Sequence, residues 1–188
     1  MFGKKDILTL PNLFTLFRLC SIPLFLWLLF IKEERLAAAW LLGVLGSTDW
    51  VDGWIARKFN QVSEFGAIFD PTVDRLLFFV AVPSIIIDGS VPLWVAGLAL
   101  FREIGVAMAA LLSLIKFKQV TKVTFAGKTG AFFLMFAFPM FLGANTEASY
   151  NSFLLWCAWI CTIPGLIFGL YSLFVEYIPN SFKKFNNY

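Results

Sequence analysis

The amino-acid sequence predicts an all-α fold: a polytopic integral membrane protein with six transmembrane helices. Of its 188 residues, 60% are hydrophobic and only 14% are charged, and the mean hydropathy is +0.80. A soluble domain of this size has too little interior to bury so much apolar surface. The connectors between the apolar segments are short, so we expect residues 1–188 to form a single domain.

The composition also excludes classes of function. A net charge of +3 gives no electrostatic support for nucleic-acid binding. The chain has no His, which removes the usual zinc ligand and the usual general base. Acid–base chemistry must therefore fall to Asp, Glu, Lys, Tyr or water.

The first three apolar segments occupy the N-terminal half of the chain. The first, about Asn12–Ile31, follows Pro11, a residue favoured at helix starts. The second, about Leu36–Phe59, is purely apolar only in its first half, and the third is about Phe69–Ile87. At about 1.5 Å per residue, each can cross roughly 30 Å of hydrocarbon as a helix.

The last three segments complete the predicted bundle. The fourth, about Pro92–Ile115, is interrupted by Arg102 and Glu103. The fifth, about Lys128–Leu142, is the shortest and spans the bilayer only with help from its flanks. The sixth is about Ser152–Tyr177 and is long enough by itself.

Basic residues are concentrated at both termini and in alternate connectors. They are Lys4, Lys5, Arg57, Lys58, Lys116, Lys118, Lys122, Lys128, Lys183 and Lys184. The opposite connectors are poorer in net positive charge: Lys32 and Arg35 are offset by Glu33 and Glu34, and the connectors at 88–91 and 145–150 contain no Lys or Arg. The positive-inside rule therefore predicts that both termini and the aspartate-rich region are cytoplasmic. The expected location is the bacterial cytoplasmic (inner) membrane.

Four aspartates stand out against this apolar background: Asp49, Asp52, Asp70 and Asp74. Carboxylates at membrane depth are costly and are kept mainly for function. The first two are three residues apart and the last two are four apart, so each pair shares one face of its helix. Opposed across a helix pair, four carboxylates need a counter-charge. All-oxygen ligands suit one or two Mg²⁺, Mn²⁺ or Ca²⁺ ions and disfavour zinc.

Small and basic neighbours extend this site. Gly53 and Ala56 share the helical face of Asp49 and Asp52, and their lack of bulk leaves room for a flat ligand. Arg57 follows at once, and a guanidinium matches phosphate oxygens in a two-pronged fashion. Together these residues indicate a metal-bridged pyrophosphate site.

The pattern Asp-x2-Asp-Gly-x2-Ala-Arg-x8-Gly-x3-Asp-x3-Asp resembles the signature of the CDP-alcohol phosphotransferase family. All eight positions match within 26 residues, at Asp49, Asp52, Gly53, Ala56, Arg57, Gly66, Asp70 and Asp74. The run from Leu10 to Arg18 looks like the start of members that make phosphatidylglycerol phosphate or cardiolipin. The resemblance implies a membrane phosphatidyltransferase that uses CDP-diacylglycerol, releases CMP and binds two divalent cations, Mg²⁺ or Mn²⁺. It also suggests a homodimer.

The same resemblance implies a role for each residue. One metal ion would be held by Asp49, Asp52 and Asp70, and the other by Asp49, Asp70 and Asp74. Asp74 would also be the catalytic general base on the acceptor hydroxyl. The CDP moiety would be bound by Asn12, Asp49, Asp52, Gly53, Ala56, Arg57 and Gly66.

The identity of the acceptor is less clearly encoded. Candidate acceptor-binding residues are Arg18, Arg102, Lys122 and Lys128. Arg102 with Glu103 resembles an Arg-Glu pair of phosphatidylglycerolphosphate synthases, which makes glycerol 3-phosphate the first choice. The run at 127–129 resembles the start of their Gly-Lys-x-Lys-Thr element, but the second Lys is missing. Cardiolipin synthesis with phosphatidylglycerol as acceptor, and then a phosphatidylinositol-phosphate-type synthase, are the alternatives.

The alternative function that is not enzymatic is that of a divalent-cation transporter. It accounts for acidic residues inside a membrane protein. It does not account for the spacing of Gly53, Ala56 and Arg57, and transport sites tend to lie near the bilayer midplane. The enzyme interpretation is therefore preferred.

Overall fold

The computed structural model describes residues 10–58, 64–117, 124–146 and 149–179; for residues 10–12, 49–58, 64–68, 71 and 116–117 it describes the backbone alone. The described residues form six α-helices and contain no strand, which confirms the all-α class. The helices are α1 (Leu10–Phe30), α2 (Arg35–Lys58), α3 (Glu64–Asp88), α4 (Leu93–Phe117), α5 (Phe125–Ala144) and α6 (Asn151–Tyr171). A π-helix, Ser172–Tyr177, continues α6.

Four helices in the described part of the chain are long and apolar enough to cross a membrane, so the prediction of six is wrong by this criterion. They contain the stretches Leu13–Phe30, Leu93–Ile115, Phe125–Ala144 and Asn151–Tyr177. The other two helices fall short because of their charges. α2 is apolar only over Arg35–Thr48, and α3 contains Asp70, Asp74 and Arg75. The residues of the predicted site are thus the ones that make α2 and α3 less apolar.

The fifth helix begins earlier than the sequence predicts. Thr124 caps it, with Oγ1 accepting a hydrogen bond from the Gly127 N–H at 3.1 Å. A hydroxyl at this position satisfies a backbone donor that the helix itself leaves free. The resulting helix has 20 residues, which is long enough to cross a bilayer without help from its flanks.

The apolar core fills one half of the bundle. Its large, fully buried side chains come from the C-terminal halves of α1, α3 and α5, from α2 and from the start of α4: Phe25, Leu29, Leu45, Val82, Ile85, Val95, Phe141 and Leu142. Thr15, Asp70 and Gly127 lie towards the N-terminal ends of α1, α3 and α5, at the other end of the bundle. We call this other end the site end and the end near Asp88 the distal end.

Glycines allow α5 and α6 to pack closely. A Cβ added at Gly130 would lie 2.6 Å from the backbone nitrogen of Gly169 and 3.1 Å from the carbonyl oxygen of Gly165. Because these are backbone atoms, they cannot move aside without separating the helices. Position 130 therefore excludes any side chain in this packing.

Polar residues join three helices at the distal end. Arg35 Nε donates to both carboxylate oxygens of Asp88 at 3.0 Å. Ser90 Oγ also donates to Asp88, and Asn145 Nδ2 donates to Ser90 Oγ at 3.0 Å. The network links the start of α2, the end of α3 and the end of α5. Asp88 lies 18 residues after Asp70, which is about 27 Å along α3.

Candidate active site

Two carboxylates of α3 meet two polar residues of α1 at the site end. Thr15 Oγ1 donates a hydrogen bond to Asp70 Oδ1. Arg18 Nη1 donates to Asp74 Oδ1, and these two side chains form an ion pair. The donors are three residues apart on α1 and the acceptors four apart on α3, about one helical turn in each case. Two pairs therefore form at successive turns of neighbouring helices.

The buried face of α1 places the two donors. Ile22 and Phe25 continue the same face into the apolar core, and both are buried. Side chains three or four residues apart share one face of a helix. Thr15 and Arg18 thus occupy the turns where this face changes from apolar to polar. A buried guanidinium is costly without a partner, and Asp74 supplies one.

The members of the ion pair differ in exposure. The side chain of Arg18 is 1% exposed, whereas that of Asp74 is 33% exposed. The guanidinium is covered by packing, and the carboxylate remains partly accessible. An acidic group that is held by a buried cation and open to its surroundings can contact a ligand without losing its position.

The remaining predicted ligands of the metal and CDP lie mainly on α2. This helix runs without interruption to Lys58, so Asp49 and Asp52 keep the spacing of one helical face. The backbone alone is described for Asn12, Asp49, Asp52, Gly53, Ala56, Arg57 and Gly66, and Lys122 lies outside the described residues. Their roles in binding metal, CDP and acceptor stay predictions.

A second polar group joins α4 to α5. Arg102 is 5% exposed, and its Nη2 donates to the carbonyl oxygen of Gly127 at 2.8 Å. Its Nη1 pairs with Glu103 Oε2. Gly127 directly precedes Lys128, whose side chain is exposed. Of the predicted acceptor-binding cations whose side chains are described, Arg102 supports the backbone of this turn, and Lys128 is the exposed one.

Three polar residues of the site end were missed by sequence reasoning: Thr15, Thr124 and Ser172. Thr124 Oγ1 lies 3.1 Å from Ser172 Oγ in the π-helix, beside Gly127. For Thr15, the available signal was its position one turn before Arg18. Its contact with Asp70, 55 residues further along the chain, depends on how α1 and α3 pack.

The described donor set fits part of a site for a hard divalent cation. Asp70 and Asp74 offer carboxylate oxygens, the ligand type that Mg²⁺ and Mn²⁺ prefer. Among the described side chains, no group of three or more His, Cys, Asp or Glu residues could hold a metal ion. Further ligands would have to come from the α2 carboxylates, whose side chains are not among those described.

Comparison with known proteins identifies the family. The profile described as CDP-alcohol phosphatidyltransferase matches residues 8–164, which is most of the chain. This chain belongs to the CDP-alcohol phosphatidyltransferase family. The match contains α1 to α5, and it includes both polar groups of the site end apart from Ser172.

Curated relatives cover most of the chain. A Mycobacterium tuberculosis protein named "Putative cardiolipin synthase" is 34% identical over 170 residues, covering 90% of this chain and 79% of the relative. A Streptomyces coelicolor protein named "Cardiolipin synthase (CMP-forming)" is 36% identical over 146 residues, with 72% and 66% covered. A second M. tuberculosis protein, named "Probable phosphatidylglycerophosphate synthase", is 33% identical over 145 residues, with 74% and 68% covered.

These findings establish the class of function. The protein is an enzyme that transfers phosphatidyl groups, as the sequence predicts. The family assignment removes the support for a cation transporter. The relatives carry names with different acceptors, so the family alone does not decide which alcohol this enzyme uses.

Proposed function

We propose that this enzyme transfers the phosphatidyl group of CDP-diacylglycerol to phosphatidylglycerol, forming cardiolipin and CMP. The observation that carries the site assignment is the pairing of Asp70 and Asp74 with Thr15 and Arg18. It holds two carboxylates of the family pattern one turn apart on α3, with Asp74 partly exposed. This is the arrangement that a phosphate-transfer site needs, because the reacting groups must be held in position.

Asp74 is the proposed general base. Its carboxylate accepts the proton of the acceptor hydroxyl as the acceptor oxygen forms a bond to the lipid-bearing phosphorus. The bond between this phosphorus and the bridging oxygen of the pyrophosphate breaks, and CMP leaves with that oxygen. Arg18 keeps the carboxylate in place through Oδ1. A carboxylate base agrees with a chain that contains no His.

Asp49, Asp52, Asp70 and Asp74 are the proposed ligands of one or two Mg²⁺ or Mn²⁺ ions. When bound, such ions polarise the pyrophosphate and neutralise the charge that develops on the leaving CMP. The chain's own part is to supply oxygen ligands at fixed positions. Thr15 contributes by holding Asp70 through its Oδ1 atom.

The choice of acceptor rests on the first turns of α5. In the Gly-Lys-x-Lys-Thr element, the second Lys would stand at position 130, which is Gly here. A Cβ there would lie 2.6 Å from the Gly169 nitrogen, so the packing of α5 against α6 excludes a lysine. Among the described acceptor candidates, Lys128 is the one exposed cation, and one cation suits the singly charged phosphodiester of phosphatidylglycerol better than the doubly charged phosphate of glycerol 3-phosphate.

Glycerol 3-phosphate is the second candidate acceptor. Buried Arg102 and exposed Lys128 lie on either side of Gly127, so two cations are close to one turn of α5. A relative named as a phosphatidylglycerophosphate synthase is also 33% identical to this chain. This candidate requires that Lys128 alone compensates for the missing second Lys.

The site end is proposed to face the cytoplasm of a bacterium. Most basic residues of the connectors belong to this end; at the distal end, Lys32 and Arg35 are offset by Glu33 and Glu34, and the other two connectors contain no Lys or Arg. In this orientation the acyl chains of the substrate stay in the bilayer while CMP enters the cytoplasm. The homodimer that the family resemblance suggests remains a prediction, and light scattering of the purified protein would measure it.

An acceptor panel tests the proposed reaction. Purified protein is given CDP-diacylglycerol, Mg²⁺ or Mn²⁺, and one of three acceptors: phosphatidylglycerol, glycerol 3-phosphate or inositol phosphate. CMP release is measured, and the lipid product is identified by mass spectrometry. We expect cardiolipin from phosphatidylglycerol as the main product.

The same panel separates the alternatives. If phosphatidylglycerol phosphate is the main product, glycerol 3-phosphate replaces phosphatidylglycerol as the proposed acceptor. If none of the three acceptors supports CMP release, the substrate assignment is overturned. Wild-type rates in both Asp70→Asn and Asp74→Asn would overturn the site assignment, whichever acceptor is used.

A further inference from the structure

We infer that Thr15 and Arg18 are positioning residues, and that each of them holds one of the two α3 carboxylates for a different role. Thr15 holds Asp70 for cation binding, and Arg18 holds Asp74 for the acceptor. The inference rests on the proposed function, in which both aspartates belong to the catalytic site. It gives Arg18, expected from the sequence to bind the acceptor, a positioning role, and it adds Thr15, which none of the predicted site residues includes.

The geometry is that of a matched pair of contacts. Thr15 and Arg18 are each 1% exposed and face α3 from one side of α1. Each donates to the Oδ1 atom of its aspartate. Because α1 and α3 both run from the site end to the distal end, donors one turn apart meet acceptors one turn apart. One helix thus orients both carboxylates at the same time.

Fold stability gives no sufficient reason for these two residues. The contact between α1 and α3 already has an apolar part, which includes Phe25 and Ile85, both fully buried. A buried ion pair seldom stabilises more than apolar residues of the same size would. Residues that orient a metal ligand or a reacting carboxylate from behind typically affect affinity or rate by about 10–100-fold.

The two contacts differ in charge. Thr15 is neutral, so its hydrogen bond does not offset the charge of the Asp70 carboxylate. Arg18 is cationic, and its charge offsets that of Asp74. A cation is attracted more strongly to an uncompensated carboxylate than to one that is already paired. Asp70 is therefore the stronger cation ligand of the two, and Asp74, the weaker ligand, is the one that also serves the acceptor.

Variants of Thr15 test the first half of the inference. Thr15→Val keeps the shape and removes the hydroxyl, and Thr15→Ser keeps the hydroxyl. Mn²⁺ binding to the purified protein is measured by electron paramagnetic resonance of the free ion, without substrate. We expect Thr15→Val to weaken Mn²⁺ binding about 10-fold and Thr15→Ser to restore most of it. At saturating Mn²⁺, kcat of Thr15→Val should return close to the wild-type value.

Variants of Arg18 test the second half. We expect Arg18→Gln to lower kcat with phosphatidylglycerol by about 10–100-fold at saturating Mn²⁺. Mn²⁺ binding should stay equal or become tighter, because the competing positive charge is gone. Arg18→Lys should recover part of kcat, since it keeps the charge and loses the planar donor geometry. Retained Mn²⁺ binding shows that the variant is folded.

Ser21→Ala is the matched control. Ser21 is buried on the same helix, and its hydroxyl donates to the carbonyl of Phe17 within α1. Its removal should change neither Mn²⁺ binding nor kcat. The inference is overturned if Thr15→Val and Arg18→Gln behave like this control. It is also overturned if both variants lose Mn²⁺ affinity and kcat in parallel, as general damage to the site would cause.

Asp74→Asn, measured in the same assays, distinguishes a failure of the positioning role from a failure of the proposed function. If Asp74→Asn is inactive and Arg18→Gln has wild-type kcat, the positioning role is wrong and the proposed function stands. If Asp74→Asn retains wild-type kcat, the proposed base is wrong, and the inference about Arg18 fails with it.

Discussion

The two ends of the bundle each contain an arginine–aspartate pair, and their burial is reversed. At the site end, Arg18 is 1% exposed and Asp74 is 33% exposed. At the distal end, Arg35 is 39% exposed and Asp88 is 7% exposed. The same chemical pair thus presents its acid at one end and encloses its acid at the other. Which partner remains accessible, rather than the presence of the pair, distinguishes a candidate site from a structural link.

The surroundings of the two carboxylates agree with this distinction. Asp88 receives hydrogen bonds on both oxygens from Arg35 and a further one from Ser90, and Ser90 is itself bonded to Asn145. These partners lie at the ends of helices, where connectors must be held together. Asp74 lies inside α3, one turn from a second carboxylate. A carboxylate within a helix of a membrane protein is retained mainly for function.

The largest effect is expected for Asp74→Asn. Removing a proposed general base should lower the rate of CMP release by about 10²–10⁴-fold. Asp88→Asn serves as the comparison, because it makes the same chemical change at the distal end. Its rate should stay close to wild type at temperatures where it is folded. Equal losses of rate in the two variants would contradict the division between the ends.

A smaller effect, on stability instead of rate, is expected for Asp88→Asn. The amide has one acceptor oxygen instead of two, so a side chain that is only 7% exposed loses hydrogen bonds from Arg35 or Ser90, at a cost of about 1–3 kcal/mol. The variant should show a lower Tm than the wild type in the same detergent. A Tm unchanged within error would show that the distal network does not hold the connectors.

Arg35→Gln should have the smallest effect. Its side chain is 39% exposed, and exposed ion pairs contribute about 0–1 kcal/mol. Its Tm should therefore fall less than that of Asp88→Asn, with CMP release unchanged. If Arg35→Gln proved the more damaging of the two, burial would not be the property that ranks these residues.

Much of the fold could be predicted because apolar segments and helical spacing are local properties. The six α-helices and the short connectors between them agree with the apolar pattern. The count of six membrane-spanning helices was wrong, because the charged residues of α2 and α3 lower their apolar character below that of the other four. The start of α5 was missed by a few residues, since a capping hydroxyl at Thr124 is a weaker signal than hydrophobicity.

The candidate site was predictable in its chemistry and only partly in its contacts. Asp70 and Asp74 share a face of α3, as their spacing indicates. Arg18 was expected to bind the acceptor, and the structure places its guanidinium against Asp74. Its contact with the acceptor stays a prediction.

The sequence by itself determined the helical class, the membrane setting, the family and the residue types of the site, because each depends on composition or on spacing along one helix. The tertiary structure decided which residue holds which carboxylate and which partner of each ion pair is exposed. The physical reason is distance along the chain: the two contacts at the site end join residues 55 and 56 positions apart. Only the packing of α1 against α3 brings such residues together.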